Sequence, residues 1–345
     1  MRELSEKTAE QRLSRGAFVK ASAYAGLAVV AGVGARPAAA RIARLNRKLD
    51  KRTIIIGRQP GEVGSASVMR YMINNPAILL EEAAKVGYDL DVNWKDFPNA
   101  QPILQLYQAG SQNLSFAIIG PTPASVIISH NLPVKSIAIT GGKLPFYLLV
   151  RPNSDIKSIA DLRGKTVGTI VGTDFQASFI QLIRSTLDVS PDQLGIKFVS
   201  FPTAPLAASL PSGIDAAGMI TPLFAFGALN NNQARVLVDS LGRTGSAWGG
   251  GPGKLLPQVA RAPYAPEGFF EHRGILTCHE DIIEKDPKLA QVFLTAFQKS
   301  LVALKKSTGG KAIPVARMMM GEWGLPLGFA TRLVVGDLVW NRGWI

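Results

Sequence analysis

Short apolar runs alternate with amphipathic stretches along most of this chain, and their order predicts the architecture. TIIIG (residues 53–57) reads as a β-branched strand, with RQPGEVGS as the loop after it. Val68, Met69, Met72 and Ile73 then recur at helical spacing within residues 66–86, and Asn74-Asn75-Pro76 predicts a kink or split in that helix. YDLDVNW (residues 88–94) alternates polar and apolar positions as a second strand does. NAQPILQLYQAG is a helix stopped by Gly110, LSFAIIG (residues 114–120) is a nearly continuous apolar strand, and PTPASVIIS is the helix that follows at once. This β-α-β-α-β order predicts a parallel, doubly wound sheet.

A second set of alternations begins after FYLLVRP (residues 146–152). KTVGTI, IKFVSFP, AAGMIT and ARVLVDS read as strands, and FQASFIQLIRSTL, PLAASL and LFAFGALNN as helices. Beyond Ser240 the pattern stops in a long Gly- and Pro-rich stretch (LGRTGSAWGGGPGKLLPQ), of a length that is uncommon without a function. GILTCH then reads as a strand returning to the first unit. DPKLAQVFLTAFQKSLVALKKS is an amphipathic helix, with Asp286 as N-cap and Pro287 as its first residue, and two more helices finish the chain. Crossings near residues 147–152 and 240–275 make a hinge. The expected fold class is therefore α/β, with two doubly wound lobes: residues 53–148 plus 241–345 form lobe one, and 149–240 form lobe two.

In both units a helix N-terminus lies at the carboxyl end of a buried strand. Unpaired N–H groups and the helix dipoles then face one crevice, which suits a small anionic or polar ligand. No fixed-period repeat runs through the chain.

Charge changes the picture little. The formal net charge is +13, of which residues 1–40 carry +3 and the basic segment RIARLNRKLDKR (residues 41–52) carries +5. The remaining body is near +5, with no basic stripe interleaved with aromatics, so nucleic acid is not an expected partner. Residues 41–52 read as a solvated linker, with contact to anionic lipid as the alternative. The single cysteine, Cys278, excludes an intramolecular disulfide and reads as a buried, inert thiol. With three histidines and no HExxH pattern, neither a metal site nor another cofactor is expected.

Residues 1–40 have the form of an export signal. Arg12, Arg15 and Lys20 precede an apolar stretch at 21–35, and Ala38-Ala39-Ala40 gives an A-x-A cleavage pattern. A single N-terminal anchor is the alternative. SRGAFVK (residues 14–20) resembles the twin-arginine motif, except that Gly16 stands in place of its second arginine. Export through the general secretory route or through a degenerate twin-arginine signal both lead to a periplasmic location.

The phrase SDIKSIADLRGKTVGTIVGTDF and the element SLPSGIDAAGMIT resemble the periplasmic substrate-binding proteins of ABC importers. The nearest likeness is to the branch that binds alkanesulfonates, taurine, nitrate and thiamine-precursor pyrimidines. The resemblance covers roughly residues 53–306. It implies a type II periplasmic-binding-protein fold, a cleft between lobes, a monomer, and an ABC permease in the inner membrane as partner. Leu162, Gly164, Asp215 and Ala216 read as markers of turns and caps. The ligand-facing loops implied are Arg58-Gln59-Pro60-Gly61 after the first strand, with Gln59 as its contact, then Gly120-Pro121-Thr122-Pro123, Gly172-Thr173-Asp174-Phe175 and Thr221-Pro222-Leu223-Phe224; the contacts named in these are Gly120, Pro121, Thr122, Gly172, Thr173, Asp174, Phe175, Thr221 and Pro222. Trp248 is read as an apolar wall or lid. Asp174 departs from the family pattern: it either competes with a bound anion, caps its helix, or meets a positively charged or hydroxylated ligand.

The function expected is capture of a small organic anion (sulfonate-, nitrate- or carboxylate-like) for import, with no catalytic residue. An enzyme on the same scaffold, desulfinase-like or pyrimidine-synthesis-like, is the alternative. Cys278 and His279 are its only thiol–imidazole neighbours, and adjacent strand residues point to opposite faces. A periplasmic sensor that presents ligand to a membrane kinase is a third reading.

Overall fold

The computed structural model describes residues 11–13, 49–61, 63–144, 146–200, 210, 212–240, 242–244, 254–255, 272–308 and 313–332. The expected export signal lies outside these residues except for Gln11–Leu13. So do most of the basic segment, the helix expected at PLAASL apart from Leu210, the glycine-rich stretch with Trp248 apart from residues 242–244 and 254–255, and the end of the chain.

The first sheet is built on β2 (Asp50–Arg58), flanked in parallel by β3 (Tyr88–Asp96) and β4 (Phe116–Ile119). Strand β1 (Gln11–Leu13) pairs antiparallel with β3 at the edge. On the other side β13 (His272–His279) inserts antiparallel between β4 and β5 (Val134–Leu144). The sheet is therefore mixed, whereas the β-α-β order predicted a parallel one. The chain re-enters it from the far side, after the second sheet is made, and so runs the opposite way.

Burial follows the sequence pattern. All four residues of β4 are buried, as a continuous apolar run covered on both faces requires, and β3 buries alternate residues, Leu90, Val92 and Trp94. The expected long helix is split into α1 (Val63–Asn74) and α2 (Ala77–Lys85), and the Asn75 side-chain amide donates to the Tyr71 carbonyl at the break. Helices α3 (Gln101–Gln108) and α4 (Pro121–Ser129) follow β3 and β4.

Strand β2 starts at Asp50, inside the segment read as a linker. Residues Asp50 to Arg52 extend the parallel register with β3. Arg52 is fixed there by Asp50 at 2.8 Å, by Asp286 at 3.4 Å, and by the Tyr88 ring, 5.2 Å from its guanidinium carbon. Charge runs are a poor guide to a strand boundary when neighbouring elements supply the counter-charges.

The second sheet carries β6 (Tyr147–Val150), β7 (Thr166–Thr169), β8 (Lys197–Ser200), β9 (Ala216–Ile220), β10 (Arg235–Asp239), β11 (Arg243–Thr244) and β12 (Lys254–Leu255), in the order β12-β11-β10-β6-β9-β7-β8. Strands β8, β7 and β9 are parallel, β6 runs against them, and β10, antiparallel to β6, runs their way again. Helix α5 (Asp174–Leu187) follows β7, and α6 (Pro222–Asn230) follows β9. The family-like phrase builds turns. Ser158 and Asp161 form a capping box, Leu162 is fully buried, Gly164 sits at φ +70°, and the Asp215 carboxylate accepts the Thr166 N–H at 2.8 Å. Three hydrogen bonds, from the Lys157 and Ser158 N–H groups and the Ser158 hydroxyl, hold the Asp161 carboxyl below its usual range.

The chain crosses between sheets where β5 gives way to β6, and again between β12 and β13. At the first crossing Ser240, just past β10, donates its N–H to the Phe146 carbonyl at 2.8 Å, and the Phe146 N–H donates to the Ser240 hydroxyl at 2.9 Å. In the C-terminal part α7 (Glu280–Lys285) packs on β13, α8 (Pro287–Thr308) on α1 and α2, α9 (Ile313–Trp323) on α1 and α8, and α10 (Leu327–Arg332) on α9. Asp286 caps α8 by accepting the Leu289 N–H at 3.3 Å, as the Asp-Pro signal predicts. Phe293 of α8 stacks on Phe116 of β4, with ring centroids 4.2 Å apart. One buried apolar cluster runs through elements of both sheets.

A buried ion pair ties the last helices to β2. Arg58, 5% exposed, donates to Asp96 at 2.8 Å and to Glu322 of α9 at 2.7 Å, and the Glu322 side chain is 6% exposed. Removing one partner of such a pair strands the other charge. Arg58→Ala is expected to cost about 3–5 kcal/mol, read as a fall in thermal midpoint, and Arg58→Met combined with Glu322→Leu to recover most of the loss.

Candidate functional site

Strands β2, β3 and β4 of the first sheet and β7 and β9 of the second are each followed by a helix, and the turns at these strand ends meet. Residues Gln59 and Gly61 come from the β2–α1 loop, Pro98, Asn99 and Ala100 from the β3–α3 loop, and Gly120 and Pro123 from the start of α4. The second sheet supplies Thr173, Asp174 and Phe175 at the start of α5, and Thr221 and Phe224 at the start of α6. Phe146, at the crossing, closes the back. Together these residues enclose a pocket of about 60 Å³ between the two sheets.

Four of them are helix N-caps: Ala100 for α3, Gly120 for α4, Thr173 for α5 and Thr221 for α6. None caps its helix with a side chain. Alanine and glycine have no group to do so, and the Thr173 hydroxyl turns back to the Ile170 carbonyl at 2.6 Å. Thr221 is 3% exposed and its hydroxyl has no hydrogen-bond partner. The first-turn N–H groups of a helix have no intrahelical acceptor and carry the positive end of its dipole. Uncapped, they are donors directed at the cleft.

The donors are not all open. On α4, Pro121 and Pro123 have no N–H, and the Thr122 N–H between them donates to the Asp174 carboxylate at 2.7 Å. On α3 the Gln101 N–H donates to the Asn99 side-chain oxygen at 3.0 Å, and Pro102 follows. On α6 Pro222 occupies the first position, leaving the N–H groups of Leu223 and Phe224 beside the Thr221 hydroxyl.

The remaining walls are set by packing. Phe146 and Phe175 meet at 5.1 Å between ring centroids, and Phe175 meets Phe224 edge-on at 6.4 Å. A Cβ at Gly61 would lie 2.6 Å from the Phe224 ring, so any side chain there would displace that ring. Gln59 donates its side-chain amide to the Ile118 carbonyl at 3.0 Å, which leaves its amide oxygen as an acceptor. Its loop is held from below by Arg58 and from the side by the Trp323 indole N–H, which donates to the Pro60 carbonyl at 3.1 Å.

Six residues singled out in the sequence meet in this pocket: Gln59, Gly120, Thr173, Asp174, Phe175 and Thr221. Pro121, Thr122 and Gly172 do not line it, and the side chain of Pro222 lies outside the described residues. Pro121 and Pro222 open α4 and α6, Thr122 is engaged through its N–H, and Gly172 takes φ +77° with its N–H given to the Gln176 side chain at 2.9 Å. Trp248 lies outside the described residues. Asp174 is neither a solvated cap nor exposed: it is 6% exposed and joins helices from two different sheets. Gly61, Pro123 and Phe224, from the same expected loops, line it too, whereas sequence reading missed Pro98, Asn99, Ala100 and Phe146. The strand-end rule, applied to YDLDVNW as it was to LSFAIIG, reaches Pro98 to Ala100. Phe146 left no such signal, because its place is set by the crossing.

Residues 87–249 match the family model described as NMT1/THI5 like. No curated protein sequence matches the chain. Among solved structures, the alkanesulfonate-binding protein SsuA from Xanthomonas axonopodis pv. citri, bound to MOPS, is 15% identical, with 82% of this chain and 83% of that one covered at a TM-score of 0.58. The putative periplasmic sulfonate-binding protein SsuA from Methylobacillus flagellatus KT is 19% identical, covering 86% and 82%, at 0.59. The periplasmic nitrate-binding protein NrtA from Synechocystis PCC 6803 is 12% identical, covering 85% and 73%, at 0.59. The chain is thus an α/β protein of the periplasmic-binding-protein fold, with an NMT1/THI5-like region at residues 87–249.

Proposed function

We infer that this chain is the extracytoplasmic solute-binding protein of an ABC-type importer. It captures a small organic anion, sulfonate-, nitrate- or carboxylate-like, in the cleft between the sheets and delivers it to a permease in the inner membrane. The observation that carries this reading is the convergence of four helix N-caps, none with a side-chain cap, on one pocket. Backbone donors and dipoles so placed favour an oxyanion. The seat best supplied is the start of α6, where the buried Thr221 hydroxyl has no other partner. The rings of Phe146, Phe175 and Phe224 give the ligand's body an apolar wall. At roughly 10–15 Å³ per water-sized sphere, a pocket of about 60 Å³ suits a head group with a short body rather than a large heterocycle.

The enzyme alternative would need an activated nucleophile in the cleft. Cys278 lies in β13, fully buried between Phe116 and Lys135 on its neighbouring strands, and burial pushes its thiol up to about 12. It is not among the residues lining the pocket. The export-signal pattern in residues 1–40 supports the periplasmic location, and the monomeric state follows from the resemblance.

The chain from Arg41 onward, melted against nitrate, taurine, methanesulfonate, aromatic carboxylates, sulfinates and pyrimidines, tests the reading. An anion at a hundredfold above its Kd should add about 2.7 kcal/mol and raise the midpoint visibly, with the ligand recovered unchanged. No shift from any anion, or a chemically altered ligand, would sink it. Thr221→Val is expected to weaken that anion by about ten- to hundredfold in calorimetry, the worth of a hydrogen bond to a charge. The same change should leave the unliganded protein as stable or slightly more so, since it removes an unpaired buried hydroxyl. Cys278 should resist thiol reagents at pH 8 in the native protein and react stoichiometrically once unfolded in guanidinium; a rapid native reaction would revive the enzyme alternative.

A further inference from the structure

Asp174 is the only ionisable group among the described residues that line the pocket. A carboxylate this buried requires donors. It stands at the first position of α5, where the helix dipole favours negative charge, and its Oδ1 accepts the Thr122 N–H at 2.7 Å. That N–H is the single backbone donor in the first three positions of α4, because Pro121 and Pro123 have none. The α4 and α5 termini, which come from different sheets, are therefore already bridged by an anion that belongs to the chain. This carboxylate occupies the junction between them.

We propose that Asp174 is a tethered anion that determines specificity: it fills the α4–α5 junction, excludes small free oxyanions from it, and confines the ligand's anionic group to the start of α6 and Thr221. The proposal rests on the reading of the cleft as an anion site. Two physical arguments carry it. A free anion at the junction would lie within a few ångströms of a like charge. An attached carboxylate also competes at an effective concentration on the order of millimolar or above, which a dilute free anion does not reach. Nitrate, with no body to place against the aromatic wall, is the anion most disfavoured.

The test uses the wild-type chain, Asp174→Ala, which frees the Thr122 N–H, and Asp174→Asn, which removes the charge but keeps an acceptor. Nitrate and methanesulfonate are titrated into each by calorimetry, and the ¹⁵N–¹H resonance of Thr122 is followed without ligand. Asp174→Ala is expected to bind both anions at least about tenfold more tightly than wild type, with Asp174→Asn between them and nitrate gaining most. The Thr122 amide is expected to move in Asp174→Ala. If Asp174→Ala does not fold, a gain in Asp174→Asn decides the same question. Anion affinities equal to wild type, or an unmoved Thr122 amide beside normal anion binding, overturn the tethered-anion role alone. If the amide moves but no anion binds any of the three proteins, the anionic reading of the cleft has failed and the selectivity goes with it.

Discussion

A helix cannot satisfy the N–H groups of its own first turn, and this limit shapes the cleft. Most helices answer it with a serine, threonine, aspartate or asparagine side chain. Here α3 and α4 start from Ala100 and Gly120, which have no such group, and the two threonines at α5 and α6 do not fold back onto their helices. The parallel strands β2, β3 and β4 of one sheet and β7 and β9 of the other decide where these turns lie, since a parallel strand always hands the chain to its helix at the same end. The unmet donors are thereby gathered between the sheets. They are met by Asn99 at α3 and by Asp174 at α4, and at α6 they remain for a ligand.

Donors of this kind discriminate only if they are held still. The β2–α1 loop is clamped on both flanks, by the Arg58 pairs with Asp96 and Glu322 and by the Trp323 indole on Pro60, so Gln59 is placed by α9 as much as by its own strand. Phe146 is fixed by its two hydrogen bonds with Ser240, and its ring in turn positions Phe175. Polar groups on rigid elements, backed by a second layer of contacts, keep their geometry without the ligand's help.

The sequence carried the fold well where one physical rule dominated. Continuous apolar burial marked β4 and β6, alternation marked β3, Asn74-Asn75-Pro76 marked the break between α1 and α2, and Asp286-Pro287 marked the start of α8. It failed where distant partners set the outcome. Basic residues at Lys51 and Arg52 hid the start of β2 because Asp286 and Tyr88 lie far along the chain. The antiparallel entry of β13 was invisible because strand direction depends on where the chain has been. In the site, residues at strand ends were legible in advance, and Asp174 was seen to be unusual. Its partner on α4 was not, since no local pattern links positions 122 and 174.

The placement of β13 has a consequence for how the molecule is made. The second sheet is drawn from one continuous stretch, β6 to β12, and its pairings can form while the rest of the chain is still to come. The first sheet stays incomplete until residues 272–279 arrive, when the Thr277 hydroxyl meets the Ala117 carbonyl across 160 residues of sequence. Contacts of such high order form late and slow the search for the native state. Until then β4 and β5 stand apart with their facing edges unpaired, so the interval between synthesis and that last strand is when this chain is most exposed to aggregation.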